Sequence, residues 1–176
     1  MSISTKRGDD GQTDLMFGRR VSKSDQRVAA YGAADELNAA LGLVRVSDCE
    51  EMTRTLVPSI QEDLIILMGE LATDPEDHPR YLDSGFKLVS TEMTDRLGAE
   101  VDRIERDFEI KFKGWALPGE AGLLGAAHLD VARTVCRRAE REAAILTGGD
   151  DEVGRYLNRL SDLLWLLARL ESMRPE

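Results

Sequence analysis

The sequence predicts an all-α protein, an up-and-down bundle of five helices behind a loop-like N-terminal arm. Apolar residues recur at steps of three and four in five segments, which is the pattern of a helix with one buried face. No segment of four or more residues alternates clearly enough between apolar and polar side chains to predict a strand. The connections between the segments are short, and short connections favour helices that run up and down beside one another.

The arm covers residues 1–24, which are rich in Gly, Ser and charge and show no apolar period, as in a loop. The first predicted helix covers about 25–46, and Asp25 is suited to cap its start. The second covers about 48–72 and ends at a loop around Asp74-Pro75 and His78-Pro79, because proline disfavours the helical conformation in the residue before it.

The third predicted helix starts near Ser90, a typical N-cap residue, and continues to about Phe108. The fourth covers about 120–147 and stops at Gly148, since glycine readily adopts the left-handed conformation that ends helices. The fifth covers about 151–172 and carries a row of leucines on one face.

Length and composition limit the classes of function. A chain of 176 residues suits one domain, here 1–176, that buries a core without disulfides. The net charge of −10 argues against a nucleic-acid partner, because phosphate neutralisation needs a basic surface. The N-terminus lacks an apolar signal segment, no run reaches the ~20 apolar residues of a membrane span, and only two cysteines occur. We therefore expect a soluble, cytoplasmic protein without a membrane partner.

Three arginines form one row on the fourth predicted helix. Arg133, Arg137 and Arg141 are spaced four residues apart, and like charges at this spacing disfavour a helix. Pairs at i,i+3 with Asp130 and Glu140 are expected to offset part of this repulsion. The row is either a solvated charged face or a clamp in which three arginines hold most of a triphosphate, since the planar guanidinium matches phosphate oxygens bidentately.

Two other segments carry groups suited to an anion. On the fifth helix, Asn158 shares a face with Asp162, which is either a solvated polar face or part of a site. In the arm, Gly8 and Gly11 free the backbone to present N–H groups to an anion, unless the segment is an unstructured terminus. Residues in the arm that supply charge, hydroxyl groups or a water-mediated Mg²⁺ ligand are Thr5, Lys6, Arg7, Asp9, Asp10 and Thr13.

Motifs along the chain occur in a specific order. Near the N-terminus these are Thr5-Lys6-x-Gly8-Asp9-x-Gly11, Arg20-Val21-Ser22-Lys23 and Tyr31-Gly32-x-x-Asp35-Glu36-Leu37-Asn38. Further along they are Gln61-x-Asp63-Leu64, Gly69-Glu70-Leu71-Ala72, Ala132 to Arg141 and Tyr156 to Asp162. Together they resemble the PduO-type ATP:cob(I)alamin adenosyltransferase family over nearly the whole chain.

The resemblance implies a ferritin-like five-helix bundle that assembles as a homotrimer, with ATP bound between subunits. It implies transfer of the 5′-deoxyadenosyl group of ATP to cob(I)alamin, with Mg²⁺ on the phosphates and triphosphate as the leaving group. Asp35 is expected to pair with Arg137 across the subunit boundary, and both are assigned to catalysis. The residues expected to bind ATP are Thr5, Lys6, Gly8, Asp9, Gly11, Lys23, Arg137, Glu140, Arg141 and Asn158.

The cobalamin side is expected at Trp115, with Phe112 as a second residue, because the family displaces the lower axial ligand of cobalt with a bulky apolar side chain. A core or interface anchor is the alternative role of Trp115. The family usually has glycine where this chain has Asp14 and phenylalanine where it has Trp115. Cobalt(I) is itself a strong nucleophile, so no general base is expected, and His78 and His128 are interpreted as ordinary residues rather than cobalt ligands.

Two other functions fit parts of the pattern. A bundle with the same ATP site could act as a non-catalytic nucleotide sensor or cobalamin chaperone, and only the departures at Asp14 and Trp115 favour this. A di-iron bundle needs Glu-x-x-His, whereas Pro75 and Gly125 stand three residues before the two histidines. The resemblance also implies a corrinoid reductase and a B12-dependent enzyme as possible partners.

Overall fold

A computed structural model describes residues 6–110 and 115–174, which fold mainly as helices. Within these ranges the six α-helices are α1 (Gln26–Val46), α2 (Glu51–Leu71), α3 (His78–Asp83), α4 (Thr91–Asp107), α5 (Leu124–Thr147) and α6 (Glu152–Ser172). The arm carries two strands, β1 (Gln12–Asp14) and β2 (Arg20–Ser22). No helix in the described part is long and apolar enough to cross a bilayer.

The five long helices follow the predicted segments because local signals fix their ends. Asp25 caps α1, and its side chain accepts a hydrogen bond at 2.8 Å from the backbone N–H two residues later. Gly148 ends α5 with a φ of 82°, as predicted. Asp151 caps α6 by accepting a hydrogen bond at 2.8 Å from the N–H three residues later. Ser90 precedes α4 as predicted, although its side chain makes no capping hydrogen bond.

The core lies between helices that pack in the order α2, α1, α5, α6 and α4. Leucines from neighbouring helices fill it, and Leu37, Leu64, Leu129 and Leu164 are fully buried. Each such side chain contributes about 1.5–3 kcal/mol of hydrophobic free energy relative to an exposed position. Because α5 and α6 are neighbours, the arginine row of α5 lies beside the helix that carries Asn158.

Two elements differ from the prediction. The arm is not only a loop, since β1 pairs antiparallel with β2 and places Thr13 opposite Val21. Strands of three residues are too short to show an alternating pattern in the sequence. The segment around Pro79 was expected to be a loop but forms the short helix α3, with proline in the first turn, where a backbone N–H has no partner within the helix.

Candidate active site

Four of the predicted ATP-binding residues lie together where α5 and α6 adjoin. Arg137 Nη1 donates to Glu140 Oε2 at 2.6 Å and to Asn158 Oδ1 at 3.3 Å. Arg141 Nη1 donates at 2.9 Å to the main-chain carbonyl of Arg137, one turn earlier on α5. We call these four residues the α5–α6 cluster.

Arg137 keeps part of its hydrogen-bonding capacity within the cluster. Its side chain is 47% exposed, and in the described part of the chain both of its side-chain contacts use Nη1, which leaves Nε and Nη2. Glu140 and Asn158 also line a cavity of about 150 Å³ together with Gly149 and Gly154. The guanidinium is therefore oriented by Glu140 and Asn158 and can still donate two hydrogen bonds to an anion.

The repulsion within the arginine row is offset pair by pair. The predicted i,i+3 pairs form, since Arg133 Nε donates to Asp130 Oδ1 at 3.3 Å and Arg137 contacts Glu140. Asp130 is buried and also forms an ion pair with Arg169 of α6. Arg133 thus uses Nε on a buried carboxylate and is half-buried, whereas Arg137 and Arg141 are the exposed members of the row. A clamp of all three arginines stays a prediction.

The glycines of the arm lie beside one lysine at the open end of the hairpin. Gly11 has a φ of 79°, and its carbonyl accepts a hydrogen bond at 2.9 Å from Lys23 N. A Cβ on Gly8 would lie 3.1 Å from Lys23 Nζ and 3.2 Å from the Gln12 carbonyl oxygen, so a larger residue there would displace the lysine side chain or the backbone slightly. We call Gly8, Gly11 and Lys23 the glycine end of the arm. Thr5, which was expected to join them, lies outside the described residues.

The arginines of the arm are paired with its own acids. Arg20 donates to Asp10 at 3.0 Å, to Asp14 at 3.3 Å and to the Arg7 carbonyl at 2.6 Å. Arg7 forms a second ion pair with Asp14 at 3.0 Å. The hydrogen bond from Arg20 also lowers the pKa of the Asp10 carboxyl. Asp14 therefore closes an ion-pair network inside the hairpin, and the expected role of Arg7 toward an anion stays a prediction.

The arm and the α5–α6 cluster stay separate within one chain. No hydrogen bond or ion pair joins the glycine end to the cluster among the described residues. Asp35 is exposed on α1 and forms no ion pair with Arg137 within this part of the chain. The predicted ATP-binding residues thus form two groups in a single subunit.

The expected cobalamin side contains a strongly exposed aromatic residue. Trp115 is 94% exposed, and Leu117 beside it is 63% exposed, so a core anchor is the wrong role for Trp115. Phe112 lies outside the described residues. A bare indole at a surface suits contact with another molecule, because its large apolar area is otherwise in water.

A buried polar network fixes the helix that carries Asn158, and no role was predicted for it. The hydroxyl of Tyr156, which is fully buried, donates to Asp63 Oδ2 at 2.9 Å. Arg96 of α4 forms an ion pair with the same carboxylate. Burial raises the pKa of Tyr156 well above its ordinary value and keeps the hydroxyl a donor. The sequence feature that could have indicated this network is Asp63, an acidic residue at a position of α2 that faces the core.

The two cysteines and His128 make hydrogen bonds within the helical body. Burial raises the pKa of the Cys136 thiol, which donates to the Leu157 carbonyl at 3.2 Å, and raises that of Cys49 to about 11. His128 Nδ1 is hydrogen bonded to Ser47 Oγ at 2.8 Å. Among the described residues, no group of three His, Cys, Asp or Glu side chains could hold a metal ion.

Comparison with protein families identifies a match over most of the chain. Residues 3–171 match the family described as cobalamin adenosyltransferase. Corrinoid adenosyltransferase PduO of Salmonella typhimurium is 42% identical over 175 residues, which is 97% of this chain and 50% of that protein. The chain thus spans about half the length of this relative. A corrinoid adenosyltransferase of Citrobacter freundii is 36% identical over 178 residues, 99% of this chain and 97% of that protein.

Solved structures share the fold. A variant PduO-type ATP:corrinoid adenosyltransferase from Lactobacillus reuteri, complexed with cobalamin and ATP, superposes with a TM-score of 0.81 at 32% identity. The match covers 96% of this chain and 92% of that one. Another variant of the Lactobacillus reuteri enzyme, complexed with ATP, gives a TM-score of 0.79 at 33% identity, with 96% and 93% of the two chains covered.

Proposed function

Because the chain belongs to the cobalamin adenosyltransferase family, we propose that it transfers the 5′-deoxyadenosyl group of ATP to cob(I)alamin. The products are adenosylcobalamin and triphosphate. The observation that carries the proposal is the α5–α6 cluster, in which Glu140 and Asn158 orient Arg137 and leave two of its donor atoms for an anion. The five long helices are proposed to form the up-and-down bundle of the family.

The reaction requires position and charge rather than proton transfer. The cobalt(I) electron pair forms a bond to C5′ of the ribose while the C5′–O bond breaks, and the electrons of that bond leave on the triphosphate. Arg137 and Arg141 are placed to stabilise the charge that grows on the leaving group, and Lys6 and Lys23 of the arm supply the other cations. Holding cobalt in line with C5′ supplies the remaining acceleration.

We also propose a homotrimer with ATP bound between subunits. The separation of the glycine end from the α5–α6 cluster supports this, because a neighbouring subunit can bring the two groups to one nucleotide. Exposed apolar side chains on α1 and α5 provide apolar surface for a contact between subunits. They are Leu43, 49% exposed, Val46, 82%, Leu124, 70%, and Val131, 48%. In this arrangement Asp35 pairs with Arg137 of the partner subunit.

Mg²⁺ is proposed to arrive with ATP rather than to reside in the protein. The described residues offer no cluster of three metal ligands, and Asp10 of the arm is already paired with Arg20. Asp9 is exposed and has no ion pair within the described residues, so it can reach a phosphate-bound ion through water. Bound in this way, Mg²⁺ neutralises part of the phosphate charge.

The cobalamin side is proposed to include Trp115, with Phe112 as a second apolar residue. The exposure of Trp115 supports this assignment, because a flat apolar side chain in water can cover one face of a corrin ring. Its role is to exclude the lower axial ligand, which makes cobalt(II) easier to reduce.

A cytoplasmic location and two partners complete the proposal. Cob(I)alamin has to be produced by a reduction, which calls for a corrinoid reductase, and the product is a cofactor for a B12-dependent enzyme. The two partners rest on the chemistry of the substrate and product, and the cytoplasmic location rests on the expectation from the sequence.

Anaerobic incubation of the protein with ATP and cob(I)alamin tests the proposed function. We expect loss of the cobalt(I) absorbance and formation of a light-sensitive product with a cobalt–carbon bond. Binding of ATP and cobalamin without this product would favour the non-catalytic sensor or chaperone instead. Absence of ATP binding would contradict both functions.

A further inference from the structure

The arm is attached to the helical body through one tight turn, Leu15–Arg19, which we call the anchor turn. Leu15 is buried, and its N–H donates at 2.8 Å to the Arg19 carbonyl, which closes the turn. Met16 N donates at 2.9 Å to the carbonyl of Ala72, just beyond the end of α2. The body thus holds the hairpin at the turn that joins β1 to β2.

Side chains of the anchor turn contact the segment that follows α2 and the first residues of α3. Arg19 Nε donates to Asp77 Oδ2 at 3.1 Å, and its Nη2 donates to Glu76 Oε2 at 3.2 Å. The Phe17 ring lies beneath the guanidinium of Arg80, 4.3 Å from the ring centroid. Each exposed ion pair alone is worth less than about 1 kcal/mol, but one planar guanidinium that meets several carboxylates is restricted to one orientation.

The residues that follow the hairpin are attached to the same segment. Arg27, in the first turn of α1, donates through Nη1 to the Leu71 carbonyl at 3.1 Å and to the Thr73 carbonyl at 2.9 Å. The hairpin is therefore held at the anchor turn and again just after its second strand. Both attachments converge on residues 71–77.

The glycine end lies at the opposite end of the hairpin from the anchor turn. The four residue steps from Gly11 to Leu15, across β1, span about 13 Å at ~3.3 Å per residue. Because the contacts of Arg27 hold the chain after β2 and not β1, a tilt of about 10° at the anchor turn would move the side of the glycine end that carries Gly8 and Gly11 by about 2 Å. Displacements of this size are large for groups that must meet a phosphate, since an error of ~1 Å can lower a rate by ~100-fold.

We infer that Arg19 is a positioning residue for the nucleotide, acting through the anchor turn to fix where the glycine end meets the phosphates. The inference rests on the proposed function. Arg19 does not contact the glycine end among the described residues, so its effect is on the fraction of arms that are correctly placed. If that fraction falls to about one tenth, the apparent affinity for ATP falls about tenfold.

The test compares Arg19→Ala with Arg19→Lys, and uses Arg106→Ala as a matched control. Arg106 is an exposed arginine in an ion pair with Asp107 at the end of α4, outside both groups of proposed ATP-binding residues. We expect Arg19→Ala to raise the KM for ATP about tenfold with kcat at saturating ATP nearly unchanged. Arg19→Lys should raise the KM for ATP less than Arg19→Ala does. The KM for cobalamin should not change in either variant.

Limited trypsin digestion without ATP gives a second readout that needs no activity. Cleavage after Arg20 and Lys23 should be faster in Arg19→Ala than in the wild type and in Arg106→Ala. If Arg19→Ala has the wild-type KM for ATP, the inference about Arg19 is overturned and the proposed function is not, whether or not cleavage is faster. A wild-type protein that binds no ATP would overturn the proposed function and the nucleotide part of this inference together, while digestion would still report on the attachment.

Discussion

Replacement of Arg137 by alanine should nearly abolish adenosyl transfer and leave the fold intact. The side chain is 47% exposed, and its partner atoms Glu140 Oε2 and Asn158 Oδ1 stay accessible to water when it is removed. Exposed pairs of this kind contribute less than about 1 kcal/mol to the free energy of unfolding. We therefore expect Tm to change by no more than about 3 °C.

The loss of activity is larger because Nε and Nη2 of Arg137 carry three N–H groups, of which the proposed pair with Asp35 of the partner subunit uses one and two remain for triphosphate. Each charge-assisted hydrogen bond is worth about 1.5–3 kcal/mol, so two contacts amount to about 3–6 kcal/mol. Since each 1.36 kcal/mol changes a rate tenfold, kcat/KM should fall by about 10²- to 10⁴-fold. The kcat/KM of Arg137→Lys should lie between those of the wild type and Arg137→Ala, because lysine keeps the positive charge and lacks the planar guanidinium.

The assay follows formation of the cobalt–carbon bond under anaerobic conditions, with cob(I)alamin generated by an excess of chemical reductant. Arg106→Ala provides the control for a lost surface arginine. A value of kcat/KM in Arg137→Ala within about threefold of the wild type would refute the assignment of Arg137 to the triphosphate. A large fall in Tm would instead indicate that the residue acts through stability.

Three further changes test separate parts of the structure. Tyr156→Phe removes the 2.9 Å hydrogen bond to Asp63 and should lower the free energy of unfolding by about 2 kcal/mol and Tm by about 4–8 °C, as measured by thermal melting. Glu70 accepts a hydrogen bond from Val89 N at 2.6 Å, and burial raises its carboxyl pKa above the ordinary 4.5. A raised pKa in the folded state stabilises the protein at low pH, and this stability is lost as pH rises. Glu70→Gln should therefore have a higher Tm than the wild type at pH 8, and the difference in Tm should vanish on acidification towards the ordinary pKa. An equal difference in Tm at every pH would contradict this. Trp115→Ala should retain the wild-type Kd for ATP but lose the spectrum of four-coordinate cobalt(II), and survival of that spectrum would exclude Trp115 as the displacing residue.

The helices could be predicted because their signals are local. Leucines at steps of three and four, the cap at Asp25 and the glycine at 148 each act within a few residues of the chain. The β-hairpin could not be predicted, because its strands have three residues each and its pairing depends on the anchor turn being held by the body. The helix α3 was missed because Pro79 was interpreted as part of a loop, whereas it lies in the first turn of a helix.

The contacts in the site likewise divide into those that depend on local spacing, which could be predicted, and those that depend on helix packing, which could not. Spacing along α5 sufficed to predict the pair between Arg137 and Glu140, since residues three apart on a helix are neighbours. Spacing also sufficed to predict the pair between Arg133 and Asp130, but it could not reveal that Asp130 is buried and shared with Arg169, because that contact depends on how α6 packs against α5. The anchoring role of Arg19 is invisible in sequence for the same reason, since its partners lie 57 and 58 residues further along the chain.

The ratio of the two products tests the central claim most directly. Wild-type protein is incubated anaerobically with ATP and cob(I)alamin, and adenosylcobalamin and inorganic triphosphate are quantified in the same sample. Attack of cobalt on C5′ predicts equal molar amounts of the two, with both lost in parallel in Arg137→Ala. Diphosphate or phosphate released from ATP without a matching amount of adenosylcobalamin would contradict the proposed reaction.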